Sequence, residues 1–432
     1  MLRKSLALLL AVVLLMTACI SLAVAEEAPY RGTIRVVLNE NSPEEDYAKT
    51  HFPEFTKKTG IVVEADVLPS ASFYEKMVLG MASPSQEWDL CQIDVSCAGT
   101  LLDGGFLLPL DDLIAKASPE FLKGYEGTNI LSTNFLYNGN VYAIPQFMGS
   151  AILMYNAKHF EEAGLDPANP PKTLDELVAA CKALHKPEEG RDAIVFRGSR
   201  EGATISFFWS MLYFNQGGSW YPEDHESLAI FDTEEAKRAT EYLVELGKYA
   251  PEGIVNYTYD ECYTAIQQDK ASILLDMSQC ATWTIDPALS TVYEDMRFAA
   301  LDGRTLAGNW SFAIGKGCEN PELAWELIEY MAGYDVAWQQ TESMLLSAPC
   351  RVDILANPKL TELYPESLIQ AMRDSQKDCD AMFYPMGAQC DEIVTKLAVN
   401  INDALAGTIT AEEAMAKTQA EVLAVKAREG LE

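Results

Sequence analysis

Between residues 33 and 94 the hydrophobic period of the sequence switches repeatedly between strand and helix spacing, and that alternation limits the possible folds more than any other feature of the chain. Thr33-Ile34-Arg35-Val36-Val37-Leu38 is a short β-branched run that stops at the polar stretch Asn39-Glu40-Asn41-Ser42-Pro43, as a strand does where it meets a loop. Helical spacing follows through Phe55 and is closed by Lys57-Lys58-Thr59-Gly60. There the cationic side chains face the negative end of the helix dipole, and glycine takes the left-handed conformation that ends a helix. Ile61-Val62-Val63-Glu64-Ala65 reads as a second strand, residues 72–81 as a helical stretch, and Trp88-Asp89-Leu90-Cys91-Gln92-Ile93-Asp94 as a third strand. Strands separated by helices of this length imply a parallel sheet, and ligands of such sheets gather beyond the carboxyl ends of the strands. The loops after Leu38 and Ile93 are therefore where binding is expected.

A second α/β segment begins near Tyr142, with the strand Ala151-Ile152-Leu153-Met154-Tyr155 and a helix over residues 174–184. Thr173 and Glu176 form a capping box for that helix. Tyr221-Pro222-Glu223-Asp224 is a turn-rich break, Asp232 or Thr233 caps a helix running to Tyr249, and a final amphipathic helix opens at Thr410-Ala411-Glu412-Glu413. No fixed repeat period is present, which excludes solenoids and propellers. At 432 residues, with 49% hydrophobic and 22% charged side chains, the chain has room for two or three globular domains. Its 64 acidic residues against 32 Lys and Arg give a formal charge of −32. A surface that acidic repels phosphate backbones and anionic lipid headgroups, so nucleic acid is not an expected partner.

Residues 1–25 read as a secretory signal, with Arg3 and Lys4 ahead of an apolar run from Leu6 to Met16. That run is shorter than the roughly 20 residues needed to span a bilayer. Two endings compete. Ala23-Val24-Ala25 offers small residues for signal peptidase, whereas Met16-Thr17-Ala18-Cys19 approximates a lipobox whose Cys19 would carry the lipid. Nine further cysteines are scattered without a metal-binding spacing, and are expected mainly as small buried hydrophobes, with one or two disulfides left open.

Six ordered blocks resemble the extracellular solute-binding proteins of ATP-binding-cassette importers, in the carbohydrate-type, maltose-binding-protein-like group. They are the segment 55–63 with Thr59-Gly60-Ile61, the segment 105–114 with Gly105-Phe106-Leu107-Leu108-Pro109-Leu110, Tyr142-Ala143-Ile144-Pro145, the segment 153–165 with Tyr155-Asn156 and Ala163-Gly164-Leu165, the segment 308–328, and the ending at 404–414. The resemblance implies an α/β fold of the type II periplasmic-binding-protein kind, two lobes with a cleft and hinge between them. Three crossings are expected near 144–147, 276–278 and 347–351. Lobe 1 would comprise 30–144 plus 278–347, and lobe 2 145–277 plus 348–432. Such a protein binds a sugar or oligosaccharide in the cleft and presents it to the permease transmembrane subunits, as an exported monomer without a cofactor or metal.

Sugars present hydroxyls and flat C–H faces, so aromatic platforms beside planar polar groups suit them. On that basis the expected ligand residues are Glu40 and Asn41 after the first strand, Asp94 after the third, Phe147 after the first crossing and Trp283 after the second. Asn309 and Trp310 stand where the resemblance places a pair of glycines, and Trp209, Arg351 and Tyr384 complete the set. Each has a structural alternative. Trp209 recurs at helical spacing with core residues, Asp94 could cap a helix, Arg351 could pair with a carboxylate, and Glu40 and Asn41 could be solvated. A different cargo on the same fold, a polyamine or other small cation, stays open, as does an exported hydrolase or adhesin. The chain lacks G-x-S-x-G, H-E-x-x-H and P-loop motifs, which weakens the enzyme reading. The four histidines are too dispersed for a local metal site and are expected in loops or at the surface.

Overall fold

In the computed structural model the described residues are 28–40, 47–128, 130–201, 204–220, 231–343, 348–380 and 389–429. Cys19, Asn41 and Tyr384 lie outside them.

The strands are β1 (Gly32–Asn39), β2 (Ile61–Leu68), β3 (Leu90–Ile93), β4 (Leu136–Tyr137), β5 (Asn140–Val141), β6 (Ala143–Asn156), β7 (Asp192–Val195), β8 (Ala271–Met277), β9 (Met296–Ala299), β10 (Thr305–Ile314) and β11 (Cys379–Asp380). The large sheet runs β2-β1-β3-β10-β6-β8-β7, with β11 on β10 and β9 on β6. β4 and β5 make a separate hairpin whose turn, Asn138-Gly139, has positive φ at both residues, the geometry an Asn-Gly pair favours. The expected parallel pairings occur between β1 and β2 and between β1 and β3, and β7 also pairs parallel with β8. The sheet as a whole is nevertheless mixed, because β10 runs antiparallel to β3 and β6, and β6 antiparallel to β8 and β9.

The antiparallel strands join the lobes. β6 has 14 residues, every one buried, and at about 3.3 Å per residue it is long enough to cross from one lobe into the other. Its first half pairs with β10 beside β3, and its second half with β8 and β9. One apolar cluster, including Val37, Phe73, Leu153, Leu275 and Trp209, extends over one face through both lobes. The opposite face carries two separate clusters. Ile34, Val36, Ile144, Met148 and Phe312 belong to the first, and Ile152, Met154, Leu274, Leu368 and Met372 to the second. Alternation along β1 and β6 sends successive side chains to these opposite faces.

Local signals work as the sequence indicates. Gly60 ends the helix Phe52–Thr59 at φ 75° and donates its amide to Thr56 O. Thr173 and Glu176 complete the capping box of Leu174–Leu184, and Thr233 caps Glu234–Gly247. The sequence reading places residues 278–347 together in lobe 1. Ala281, Val292, Met296 and Phe298 pack in the lobe 2 cluster with Ile152 and Met154, because β9 pairs with the second half of β6.

All nine described cysteines are free thiols, six of them buried. Burial pushes the Cys91 and Cys280 thiols up to about 12, so they are protonated and unreactive at neutral pH. His51 and His159, expected at the surface, are instead buried. His159 lies 2.8 Å from Asp269 through Nε2 and 3.1 Å from the Ser272 hydroxyl through Nδ1. Among the described residues no cluster of metal-ligating side chains occurs and no helix is long and apolar enough to cross a membrane.

Candidate ligand cleft

Two groups of side chains flank the strands that join the lobes. On the lobe 1 side, Asp94 follows β3 and accepts a 2.8 Å hydrogen bond from the Tyr74 hydroxyl. Tyr74 sits near the start of the helix Ser70–Ala82, directly after β2. Its ring lies nearly parallel to Trp310, with centroids 6.2 Å apart and planes inclined by 15°. Phe73 supports the same indole edge-on at 5.9 Å. Phe147 is the register partner of Trp310 on β6, and directly opposed residues of an antiparallel pair share a face. Asp94 and Trp310, expected from separate parts of the sequence, thus meet at Tyr74, which the sequence reading does not name, and Phe147 stands opposite Trp310. A bulge between Trp310 and Ser311 accompanies this placement, and bulges re-aim side chains in this way. The Asp94 carbonyl also accepts the amides of Cys97 and Ala98, so the residue opens a helix while its carboxylate serves Tyr74.

The lobe 2 side centres on Arg197, two residues beyond β7. Its guanidinium makes paired hydrogen bonds of 3.0 and 2.7 Å to Asp276 near the end of β8. Burial works against the Arg197 charge, but the Asp276 carboxylate outweighs it and raises the pKa above the ordinary arginine value. The guanidinium also lies over the Phe207 ring at 4.4 Å and the Tyr259 ring at 5.6 Å. Trp283 extends the group, 5.9 Å from Tyr259 and 5.2 Å from Tyr263, and keeps 38% exposure. Burial, reinforced by the Asp276 charge, pushes the Tyr263 hydroxyl well above its usual pKa. Among these, sequence reasoning singles out Trp283 alone. Arg197 escapes because β7 has only four residues and carries no turn signal strong enough to mark a strand end.

Three of the expected residues point elsewhere. Trp209 is fully buried, donates its indole N–H to Thr240 at 2.9 Å and stacks on Tyr213 at 4.6 Å. It belongs to the core, because the helix Thr204–Asn215 is apolar nearly all round. Arg351, 1% exposed, donates to both Asp353 carboxylate oxygens and to the carbonyls of Glu120, Phe121 and Ala332. It is a structural fastening with no donor left for a ligand. Asn309 is buried and bonds Asn134, which in turn donates to Ala143 O and Ser311. Glu40 is exposed at the end of β1, where its amide donates to Leu68 O. Behind it, Gln92 accepts the Asn39 amide and donates to Gln146 at 2.8 Å, a buried amide chain linking β1, β3 and β6.

These features belong to a two-lobed binding protein with one group of aromatic and charged side chains beside Trp310 in lobe 1 and another around Arg197 in lobe 2. The family model for bacterial extracellular solute-binding proteins matches residues 40–338, and the chain belongs to that family; its role is that of the substrate-binding component of an ABC importer. A probable amino-acid ABC transporter periplasmic-binding protein of Sinorhizobium fredii is 21% identical, over 87% of this chain and 85% of its own length. An erythritol/L-threitol-binding protein of Mycolicibacterium smegmatis is 23% identical, over 70% of this chain and 67% of its own. The solved structure of an ABC transporter solute-binding protein of Agrobacterium radiobacter in complex with ribitol superimposes with a TM-score of 0.72 at 21% identity, covering 91% of this chain and 99% of that one.

Proposed function

We propose that the cargo is a neutral polyhydroxylated molecule, a sugar, sugar alcohol or oligosaccharide, held between the two groups described above and passed to the permease subunits when the lobes close on it. The observation that carries this reading is the lobe 1 arrangement, an indole stacked beside a tyrosine whose hydroxyl is bonded to a carboxylate. An aromatic face suits sugar C–H surfaces, and a carboxylate accepts from hydroxyls more strongly than a neutral oxygen does. The lobe 2 cation is neutralised by Asp276, which disfavours an anionic cargo. A relative named for erythritol and L-threitol and a solved neighbour in complex with ribitol support the same class.

Export by the segment 1–25, by cleavage after Ala25 or with lipidation of Cys19, and action as a monomer belong to this proposal. A thermal-shift screen of sugars and sugar alcohols tests it, because a ligand that binds only the folded state raises the melting temperature. A polyamine or other small cation is the second reading, favoured by the formal charge of −32 and by Asp94. Stabilisation by putrescine or spermidine with no response to any polyol would select it and overturn the first.

A further inference from the structure

On the side of the sheet where the apolar clusters are divided, a buried amide spans the seam. Gln376 follows the helix Glu366–Ser375, whose Leu368, Ile369, Ala371 and Met372 belong to the lobe 2 cluster. It is 8% exposed. Its Nε2 donates to Met148 O at 3.2 Å and to Pro349 O at 3.3 Å. Met148 lies on β6 in the lobe 1 cluster, and its own amide donates to Ala348 O at 3.2 Å. One carboxamide therefore fastens two inter-lobe segments to a helix of lobe 2.

We propose that Gln376 is a positioning residue for ligand capture, a latch that sets how freely lobe 2 turns against the strands of lobe 1. The inference rests on the reading that the lobes close around a ligand. Its lobe 1 anchorage is firm: the segment after Pro349 is fixed by the Cys350 thiol donating to Pro145 O and Gln146 O and by the Arg351 guanidinium, which packs so closely on Gly124 that a Cβ there would fall 2.2 Å from Cζ. The next residue of β6 is built differently. Gly149 opposes Gly308 in register, so neither strand carries a side chain there, and the Gln279 carboxamide fills the space, its Oε1 1.6 Å from where a Cβ on Gly149 would lie. Immediately beyond, the Ser150 amide donates to Ser278 at the end of β8. The chain thus passes from a clamped residue, Met148, through a pair of glycines to a residue bonded within lobe 2. A rotation that moves the helix Glu366–Ser375 away from Met148 breaks both Gln376 bonds together. A buried amide stripped of its partners is costly, so the latch resists small displacements and favours two discrete arrangements.

The test uses the mature chain without ligand, so its outcome is independent of what the cargo is; failure of every solute in a binding screen would overturn the cargo while leaving this result standing. Hydrogen exchange is measured for Gln376→Met, which keeps the volume and loses the donors, and for Gln376→Lys, whose ammonium can reach both carbonyls. In the methionine variant the amides of Met148, Gly149, Ser150, Ala348 and Cys350 should exchange about tenfold faster, with β1 and the helix Glu366–Ser375 unchanged, and small-angle scattering should broaden. The lysine variant should restore protection. Wild-type exchange and scattering in the methionine variant, loosening of the whole helix, or loss of protection equally in both variants would overturn the proposal and leave Gln376 as a space filler.

Discussion

The two flanks of the cleft hold their charges in opposite ways. In lobe 1 the Asp94 carboxylate meets a neutral partner, the Tyr74 hydroxyl, beside the face of Trp310. In lobe 2 the cation of Arg197 is cancelled by Asp276 and covered by aromatic rings, with Trp283 and Tyr259 as exposed surface. The first arrangement offers a strong acceptor to a ligand. The second offers chiefly an apolar face, because a paired ion in a partly buried setting keeps little attraction for a third group. On the proposed reading, lobe 1 supplies the selectivity for hydroxyls and lobe 2 the stacking surface.

Removing Arg197 should have the largest effect, and on stability. Arg197→Ala leaves Asp276, 1% exposed, bonded to the Met277 amide but without its guanidinium partner, and should cost about 3–5 kcal/mol in denaturant unfolding. Trp209→Ala should cost a similar ~3–5 kcal/mol through the cavity it leaves, with ligand affinity unchanged in whatever folded protein remains. An affinity loss matching that of a cleft variant would return Trp209 to the binding site. Trp310→Ala should do the reverse, weakening ligand binding about 30-fold, or ~2 kcal/mol, at modest cost to the melting temperature. Asp94→Asn should weaken a neutral polyol about tenfold by calorimetric titration. The same variant should weaken a cationic ligand far more, which sharpens the contrast between the flanks.

The smallest effect concerns His159, remote from both flanks. Burial and then the neighbouring Arg191 hold it below the ordinary histidine pKa of 6.5, against the opposing pull of Asp269 and Glu162. The unfolded chain therefore takes up this proton first, and stability is lost as pH falls through about 6.5 towards the lower folded value. His159→Gln should flatten the stability profile between pH 7 and pH 5 by less than about 1 kcal/mol. An unchanged slope would show that carboxylates alone govern it.

What was legible in the sequence was whatever is encoded locally. The strand at Thr33, the closing Gly60, the Thr173 capping box and the strand ends carrying Asp94 are short-range patterns, and the structure contains them. Family blocks supplied the two-lobed plan, while the mixed character of the sheet was missed because it depends on which distant strands β6 and β10 join. At the site, residue type alone could not separate Trp310 from Trp209, since a tryptophan on an all-round apolar helix and one at a bulged strand look alike until packing assigns their faces. Arg351 illustrates the same limit for charge. A lone arginine after a crossing could bind a ligand, yet the backbone carbonyls of Glu120, Phe121 and Ala332, more than 200 residues earlier in two cases, converge on it. Tyr74 and Arg197 matter through contacts spanning 20 and 79 positions, which no local pattern announces.

The central claim is that lobe 1 reads hydroxyl groups of a neutral ligand through Asp94 beside Trp310. Calorimetric titration of the wild-type protein and Asp94→Asn, using a polyol that raises the wild-type melting temperature and spermidine in parallel, tests it most directly. The expected result is saturable polyol binding that weakens about tenfold in the variant, with no measurable spermidine heat. Equal polyol affinity in the two proteins, or spermidine binding that Asp94→Asn abolishes, would contradict it.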